Sequence, residues 1–276
     1  MSDAPFDFFD THVLRTERLS PSFVRVTFGG DCLARFAGGG RDQRFKLFLP
    51  HPGQARAELP TDPLNWYPAW REMDPAERAV MRSYTVREQR HSPEELDVEF
   101  ALHGDTGPAS RWATRARPGD HAVLLGPTVA DNGGVDFRPP PDTDWVLLSG
   151  DETALPAIAG ILDWLPAGTE ARVWLEVPDP ADRRWLPTRA RSEIIWTCRG
   201  RSAISMHDSI RDAVLPGGTP YAWIAGEAGG VRALRRVLVN ERGFDRRQVT
   251  FTGYWRRGTT EDQLLTEGTL AAVGED

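Results

Sequence analysis

In the first half of the chain, apolar and polar residues alternate with the period of half-buried β-strands. The alternation runs over Thr11–Leu19 and Ser22–Phe28, and the break at Ser20-Pro21 predicts an antiparallel pair. Runs at Arg44–Leu49, Val80–Arg87, Leu96–Leu102 and His121–Leu125 predict four more strands. One helical patch, Pro108–Arg117, ends at the turn Pro118-Gly119-Asp120. Six short strands with one helix predict a small antiparallel barrel.

The rhythm then changes. Residues 127–144 are rich in Pro, Gly and Asp, including Pro139-Pro140-Pro141, and predict a domain boundary. Beyond it, short apolar strands at Asp144–Leu148, Ala171–Val177, Glu193–Thr197, Tyr221–Ala225 and Gln248–Tyr254 alternate with helical segments. The helices are expected at Thr153–Leu165 and Glu227–Arg242. The second carries Val231, Leu234, Val237 and Leu238 at helical spacing and stops at Gly243. Strand–helix alternation predicts an open parallel α/β sheet. The expected organisation is a barrel over 1–127, a linker over 128–143, an α/β domain over 144–258 and a loosely ordered polar tail over 259–276.

Composition narrows the function classes. A chain of 276 residues with net charge −7 is not built as a general nucleic-acid or membrane-surface binder. Cys32 and Cys198 stand far apart, which excludes a disulfide framework and a cysteine-ligated cluster, and no metal-ligand cluster is visible. Met1–Asp10 is acidic and unlike a signal peptide, and no window is apolar enough to span a bilayer, so a cytoplasmic protein is expected. Of 33 basic residues only Lys46 is a lysine, which singles it out in a chain that otherwise uses arginine.

Three segments carry candidate chemistry. Arg82-Ser83-Tyr84-Thr85 on a strand puts Arg82 and Tyr84 on one face and Ser83 and Thr85 on the other. A guanidinium for a phosphate, a ring for a flavin and hydroxyl donors for its N5 edge suit FAD, although an ordinary barrel strand reads the same way. The strand bearing Asp97 and Phe100 runs through His103 and Gly104 into Gly107-Pro108-Ala109-Ser110 at the start of a helix. Free N–H groups at a helix start suit the FAD pyrophosphate, and the plain alternative is that Ser110 caps the helix. Gly150-Asp151-Glu152-Thr153-Ala154 links the first parallel strand to its helix at the edge where α/β sheets bind ligands. No Gly-x-Gly-x-x-Gly is present. Asp151 and Glu152 would repel a tightly held pyrophosphate, so a transient nicotinamide visitor fits better than a resident dinucleotide. Ala225-Gly226-Glu227 repeats the strand-to-helix geometry. Glu176 ends the second parallel strand, where an acid accepts a ribose 2′-hydroxyl, which favours NADH slightly over NADPH. Arg183 and Arg184 are the opposing candidates for a 2′-phosphate.

Taken in order, Arg82–Thr85, Leu102–Trp112, Gly150–Ala157, Ala225–Glu227 and Gly253-Tyr254-Trp255-Arg256 resemble the siderophore-interacting proteins, a branch of the ferredoxin reductase-like flavoproteins. The resemblance covers about residues 10–258. It implies FAD in the barrel, reduction by NADH or NADPH, and release of iron from ferric siderophores. Arg82, Ser83, Tyr84, Thr85, Asp97, Phe100, His103 and Gly107 to Ser110 would serve the flavin. Gly150 to Ala154, Glu227 and Trp255 would serve the nicotinamide. Lys46 and Arg256 match basic positions expected to receive the anionic siderophore. A third basic residue often follows the barrel-closing Gly-Pro, but here Thr128 follows Gly126-Pro127, leaving Arg257 or Arg138 as substitutes. No acid–base pair and no fixed metal are needed, and a monomer is expected. The competing readings are a flavin reductase serving a quinone or ferredoxin, and a siderophore carrier without catalysis.

Overall fold

The computed structural model describes residues 5–62, 65–102, 107–259 and 263. His103 and most of the tail after Gly258 lie outside them. Two compact units divide the chain, Met1–Val135 and Asp136–Asp276.

The first unit is an antiparallel sheet of β1 (Phe6–Ser20), β2 (Phe23–Gly29), β3 (Arg44–Leu49), β4 (Val80–Thr85), β5 (Glu88–His91), β6 (Glu94–Ala101) and β7 (His121–Pro127). Their order is β4-β3-β7-β1-β2-β6-β5. The long β1 pairs along Phe6–His12 with β7 and, past a bulge between Val13 and Arg15, with β2. A bulge of this kind bends a strand and sharpens its twist. β4 and β5 stand at opposite ends of the order, yet only Val86 and Arg87 separate them in the chain. The sheet therefore rolls into a barrel. Inside it pack Phe9, Val26, Phe28, Leu47, Phe100 and Leu124, all fully buried.

There is one strand more than the alternation predicts. β5 is wholly polar, Glu-Gln-Arg-His, and is held by pairing with β6 and by charge. Arg90 bonds Glu95 at 2.8 Å and Asp97 at 2.8 and 2.9 Å. Two helices accompany the barrel, α1 (Trp66–Glu72) and α2 (Pro108–Arg115).

The second unit is a parallel sheet of β8 (Trp145–Gly150), β9 (Glu170–Val177), β10 (Arg191–Cys198), β11 (Pro220–Glu227) and β12 (Val249–Trp255), ordered β10-β9-β8-β11-β12. α3 (Leu155–Trp164) follows β8, α4 (Met206–Asp212) follows β10 and α5 (Ala228–Arg236) follows β11, continuing as a π-helical turn over Val237–Glu241. The order reverses between β8 and β11, and crevices at such switch points are where α/β sheets bind ligands. Two glycines make this one possible. A Cβ on Gly150 would sit 2.8 Å from the Ala225 carbonyl oxygen, and one on Gly226, at φ +140°, would sit 2.6 Å from the Asp151 carboxylate. No helix among the described residues is long and apolar enough to cross a membrane.

Candidate functional site

In the first unit, β3 and β4 pair so that Leu47 lies opposite Arg82, Lys46 opposite Ser83 and Phe45 opposite Tyr84. Directly opposed residues share a face. Arg82 is 9% exposed and donates through Nη1 to the Met81 carbonyl at 2.7 Å. The Tyr84 ring leans on Phe100, centroids 4.4 Å apart. Lys46 donates to Ser83 Oγ at 2.7 Å. One residue assigned to the substrate and one assigned to the flavin are thus bonded to each other, a link that sequence spacing does not reveal.

Lys46 and Ser83 line a cavity of about 420 Å³ together with Phe6, Arg44, Phe45, Trp66 and Leu125. The chain neighbours of Lys46, namely Phe45, Leu47, Phe48 and Leu49, are buried, while Lys46 itself is partly exposed. Trp66, on α1, is a wall residue that the sequence reading missed. Three aromatics in five residues, Trp66, Tyr67 and Trp70, were the available signal. Pro68 does not break this helix, since proline is tolerated in a first helical turn.

α2 begins on Gly107, which has no side chain to satisfy its first-turn N–H groups. Ser110 is the third helical residue and 6% exposed, so the plain reading of it as the cap is not what forms. Among the described residues, a Cβ on Gly107 would meet nothing nearer than 3.9 Å. A helix end uncapped by its own side chain fits a phosphate, and with Arg82, Tyr84 and Thr85 on β4 the donor set fits FAD. Asp97 and Phe100, counted above with the flavin contacts, need correction. Asp97 is 3% exposed and accepts from Thr27 Oγ1 at 2.7 Å and from Arg90, while Phe100 is fully buried between Tyr84 and Trp112. Their side chains brace the strands and the Tyr84 ring and present no surface to a ligand.

In the second unit, Asp151 follows β8 and gathers four donors. Oδ1 accepts from Thr153 N at 2.9 Å and Thr153 Oγ1 at 2.5 Å, and Oδ2 accepts from Glu227 N and Trp255 Nε1, both at 2.8 Å. Burial, and then neighbouring Glu152, push its carboxyl up, and the bonds from Thr153 and Trp255 oppose them. Glu152 is 1% exposed and is gripped by both terminal nitrogens of Arg199, whose Nε donates to Glu176 at 3.2 Å. Asp151 and Glu152 are therefore not the exposed surface acids that the sequence pattern suggests. Both face inward, one tying the ends of β8, β11 and β12 together and the other anchoring an arginine. Ala154 is buried at the start of α3 and offers no side-chain surface.

Glu227 caps α5 by accepting from Gly230 N at 2.8 Å. Burial raises its pKa, but bonds from the Gly230, Arg257 and Gly229 N–H groups leave it below the usual carboxylate range. Gly150, Asp151, Glu176, Arg199, His207, Glu227, Trp255 and Arg257 line a cavity of about 170 Å³ at this edge. Arg256 follows β12 and bridges to Thr259, in a different unit from Lys46. Of the two substitutes for a base at Thr128, Arg257 stands on the second-unit cavity and Arg138 is exposed.

A flavin-type barrel followed by a parallel sheet of this order defines a ferredoxin reductase-like architecture. The ferredoxin reductase in carbazole 1,9a-dioxygenase shares that fold at 16% identity, with TM-score 0.63 over 92% of this chain and 71% of that one. Within the class, residues 12–131 match the siderophore-interacting FAD-binding domain and residues 143–258 match the siderophore-interacting protein domain. The chain belongs to the siderophore-interacting protein family. It is 31% identical to ferric vibriobactin reductase ViuB of Vibrio cholerae, over 92% of this chain and 91% of that protein. It is also 31% identical to the NADPH-dependent ferric-chelate reductase of Escherichia coli, over 90% and 92%. The siderophore-interacting protein SipS of Aeromonas hydrophila superposes with TM-score 0.77 at 31% identity, covering 94% and 96%.

Proposed function

We propose that this protein is a ferric-siderophore reductase that takes electrons from a nicotinamide donor through FAD and delivers them to siderophore-bound Fe(III). Lys46 carries the reading: a cation set in an apolar cavity wall and bonded to Ser83 of the flavin-type strand. When bound, FAD supplies the exchange between a two-electron hydride donor and a one-electron metal acceptor. The chain's own residues hold and attract. Arg82 and the turn Gly107-Pro108-Ala109-Ser110, through the N–H groups of Gly107, Ala109 and Ser110, suit the flavin phosphates, Tyr84 its ring, and Ser83 and Thr85 its polar edge. Lys46 draws in an anionic ferric siderophore, whose oxygen donors loosen once the iron is reduced, and Arg256 on the second unit is a further basic candidate for the same anion. Proton transfer by a side chain has no part in it.

The FAD domain is assigned to 1–127 and the nicotinamide domain to 144–258, with Gly150, Thr153, Glu227 and Trp255 at the donor. The donor we favour is NADH. Glu176 supports that choice, since a carboxylate at the end of β9 accepts a 2′-hydroxyl and opposes a 2′-phosphate. We place the reaction in the cytoplasm, where Cys32 and Cys198 stay free thiols, and assign it to a monomer. Purified protein should show flavin absorption and bleach under NADH, and ferric siderophore should restore the colour. Protein that stays colourless when supplied with FAD favours a carrier. Colour restored by quinone but not by ferric siderophore favours a general flavin reductase.

A further inference from the structure

Arg199, Glu176 and Glu152 come from the carboxyl ends of three adjacent parallel strands. Glu152 follows β8, Glu176 lies on β9 and Arg199 immediately follows β10. The guanidinium is held in layers. Its two terminal nitrogens fork onto Glu152, one at 2.9 Å, and the Glu152 side chain is 1% exposed. A buried carboxylate tolerates no loss of its cation, so this grip fixes where Arg199 can be. Nε points to Glu176, whose side chain is 27% exposed on the wall of the second-unit cavity. Within the set, two carboxylates outweigh one guanidinium by a full negative charge.

We propose that Arg199 determines donor specificity: held between Glu152 and Glu176 it is withheld from a ribose 2′-phosphate, and releasing it from Glu176 turns it into a receptor for that phosphate. The inference rests on reading the second-unit cavity as the nicotinamide site. A 2′-phosphate carries nearly two negative charges and meets a net negative set, whereas a 2′-hydroxyl can donate to Glu176. Replacing Glu176 by its neutral amide keeps the side-chain shape. It brings the set to neutrality, and the amide oxygen that can still accept from Nε competes with a phosphate far less than a carboxylate does. Arg183 and Arg184 follow the Pro180–Asp182 turn after β9, and Arg201 is 63% exposed and 3.9 Å from Asp179. They are the competing cations, and the test separates them from Arg199.

The probes are 5′-AMP and adenosine 2′,5′-bisphosphate, titrated calorimetrically into flavin-loaded protein and run as competitors of NADH in flavin reduction. Wild type is expected to bind the bisphosphate no more tightly than 5′-AMP. In Glu176→Gln the affinity ratio of bisphosphate to 5′-AMP should rise by about tenfold or more, the effect of one charge-assisted bond. In Glu176→Gln/Arg199→Lys most of that gain should vanish, because a single ammonium drawn to Glu152 has no Nε to offer. The lysine keeps a cation beside Glu152, and thermal unfolding of each variant verifies that it folds. If both probes compete with NADH but the ratio is unmoved by Glu176→Gln, or the gain survives Arg199→Lys, Arg199 is not the determinant and the pocket reading stands. If neither probe competes with NADH, the pocket reading falls and this inference with it.

Discussion

Replacing Lys46 by alanine removes one positive charge from the wall of the first-unit cavity, and the geometry sets the size of the effect. The ammonium is held by Ser83 Oγ at 2.7 Å, so it keeps a fixed place on the wall. Phe45 and Leu125 beside it are 3% and 6% exposed, and Trp66 completes an apolar rim. The lysine itself is partly exposed, so a dielectric well above that of a dry interior applies. For one unit of siderophore charge about 5 Å away, an effective dielectric of roughly 40–80 gives about 1–2 kcal/mol. The apparent KM for an anionic ferric siderophore should then rise by roughly five- to thirtyfold in Lys46→Ala. Lys46→Arg should keep most of the binding, since charge matters here more than fork geometry. Flavin bleaching by NADH should stay intact in both variants. The assay is siderophore-dependent reoxidation at several salt concentrations. Raising salt should weaken wild type more than Lys46→Ala, because screening acts on an attraction the variant has already lost. Identical KM values for all three proteins across salt would refute the assignment.

Three other outcomes follow from the same structure. Arg82→Ala should lose a charge-assisted phosphate bond of about 1.5–3 kcal/mol and lower FAD affinity by about one to two orders of magnitude, measured by flavin titration. Asp151→Asn puts an amide where four donors converge, so the melting temperature should fall and Trp255 fluorescence should shift; unchanged values would show that the buried carboxylate does not organise this edge. Hydrogen bonds from Arg15, and then, against burial, from Arg90, hold Glu95 at about 2, below its usual 4.5. A lowered folded-state pKa gives stability that is complete above the unfolded value and lost as pH falls toward the folded one. Wild type should therefore lose stability from about pH 5 down to pH 2, while Glu95→Gln starts lower and declines less steeply; parallel pH profiles would contradict this.

The second unit was legible except for α4 (Met206–Asp212), because its strands are short apolar runs separated by helical segments, whereas α4 is short and largely polar. β1 to β4, β6 and β7 were visible for a similar reason. β5 was not, since Glu88-Gln89-Arg90-His91 contains no alternation and becomes a strand only through partners on β6. α1 was not among the predicted elements. Within the sites, the motif residues were readable but their directions were not. Asp151 and Glu152 look like surface acids beside a phosphate site until Trp255 and Arg199 arrive from distant segments to claim them. Phe100 and Asp97 sit in a motif on opposite faces of β6, and both are covered, Phe100 by the barrel core and Asp97 by Thr27 and Arg90. Local pattern names the strand, and only register decides which side of it a ligand meets.

The most direct test of ferric-siderophore reduction is anaerobic. Flavin-loaded protein, NADH and a ferric catecholate siderophore are mixed with an Fe(II)-specific chromogenic chelator, and Fe(II) formation is followed against the same mixture lacking protein. Protein-dependent Fe(II) release that saturates with siderophore and weakens in Lys46→Ala is the expected result. A protein whose flavin is bleached by NADH or NADPH but which yields no Fe(II) above the protein-free control would contradict it.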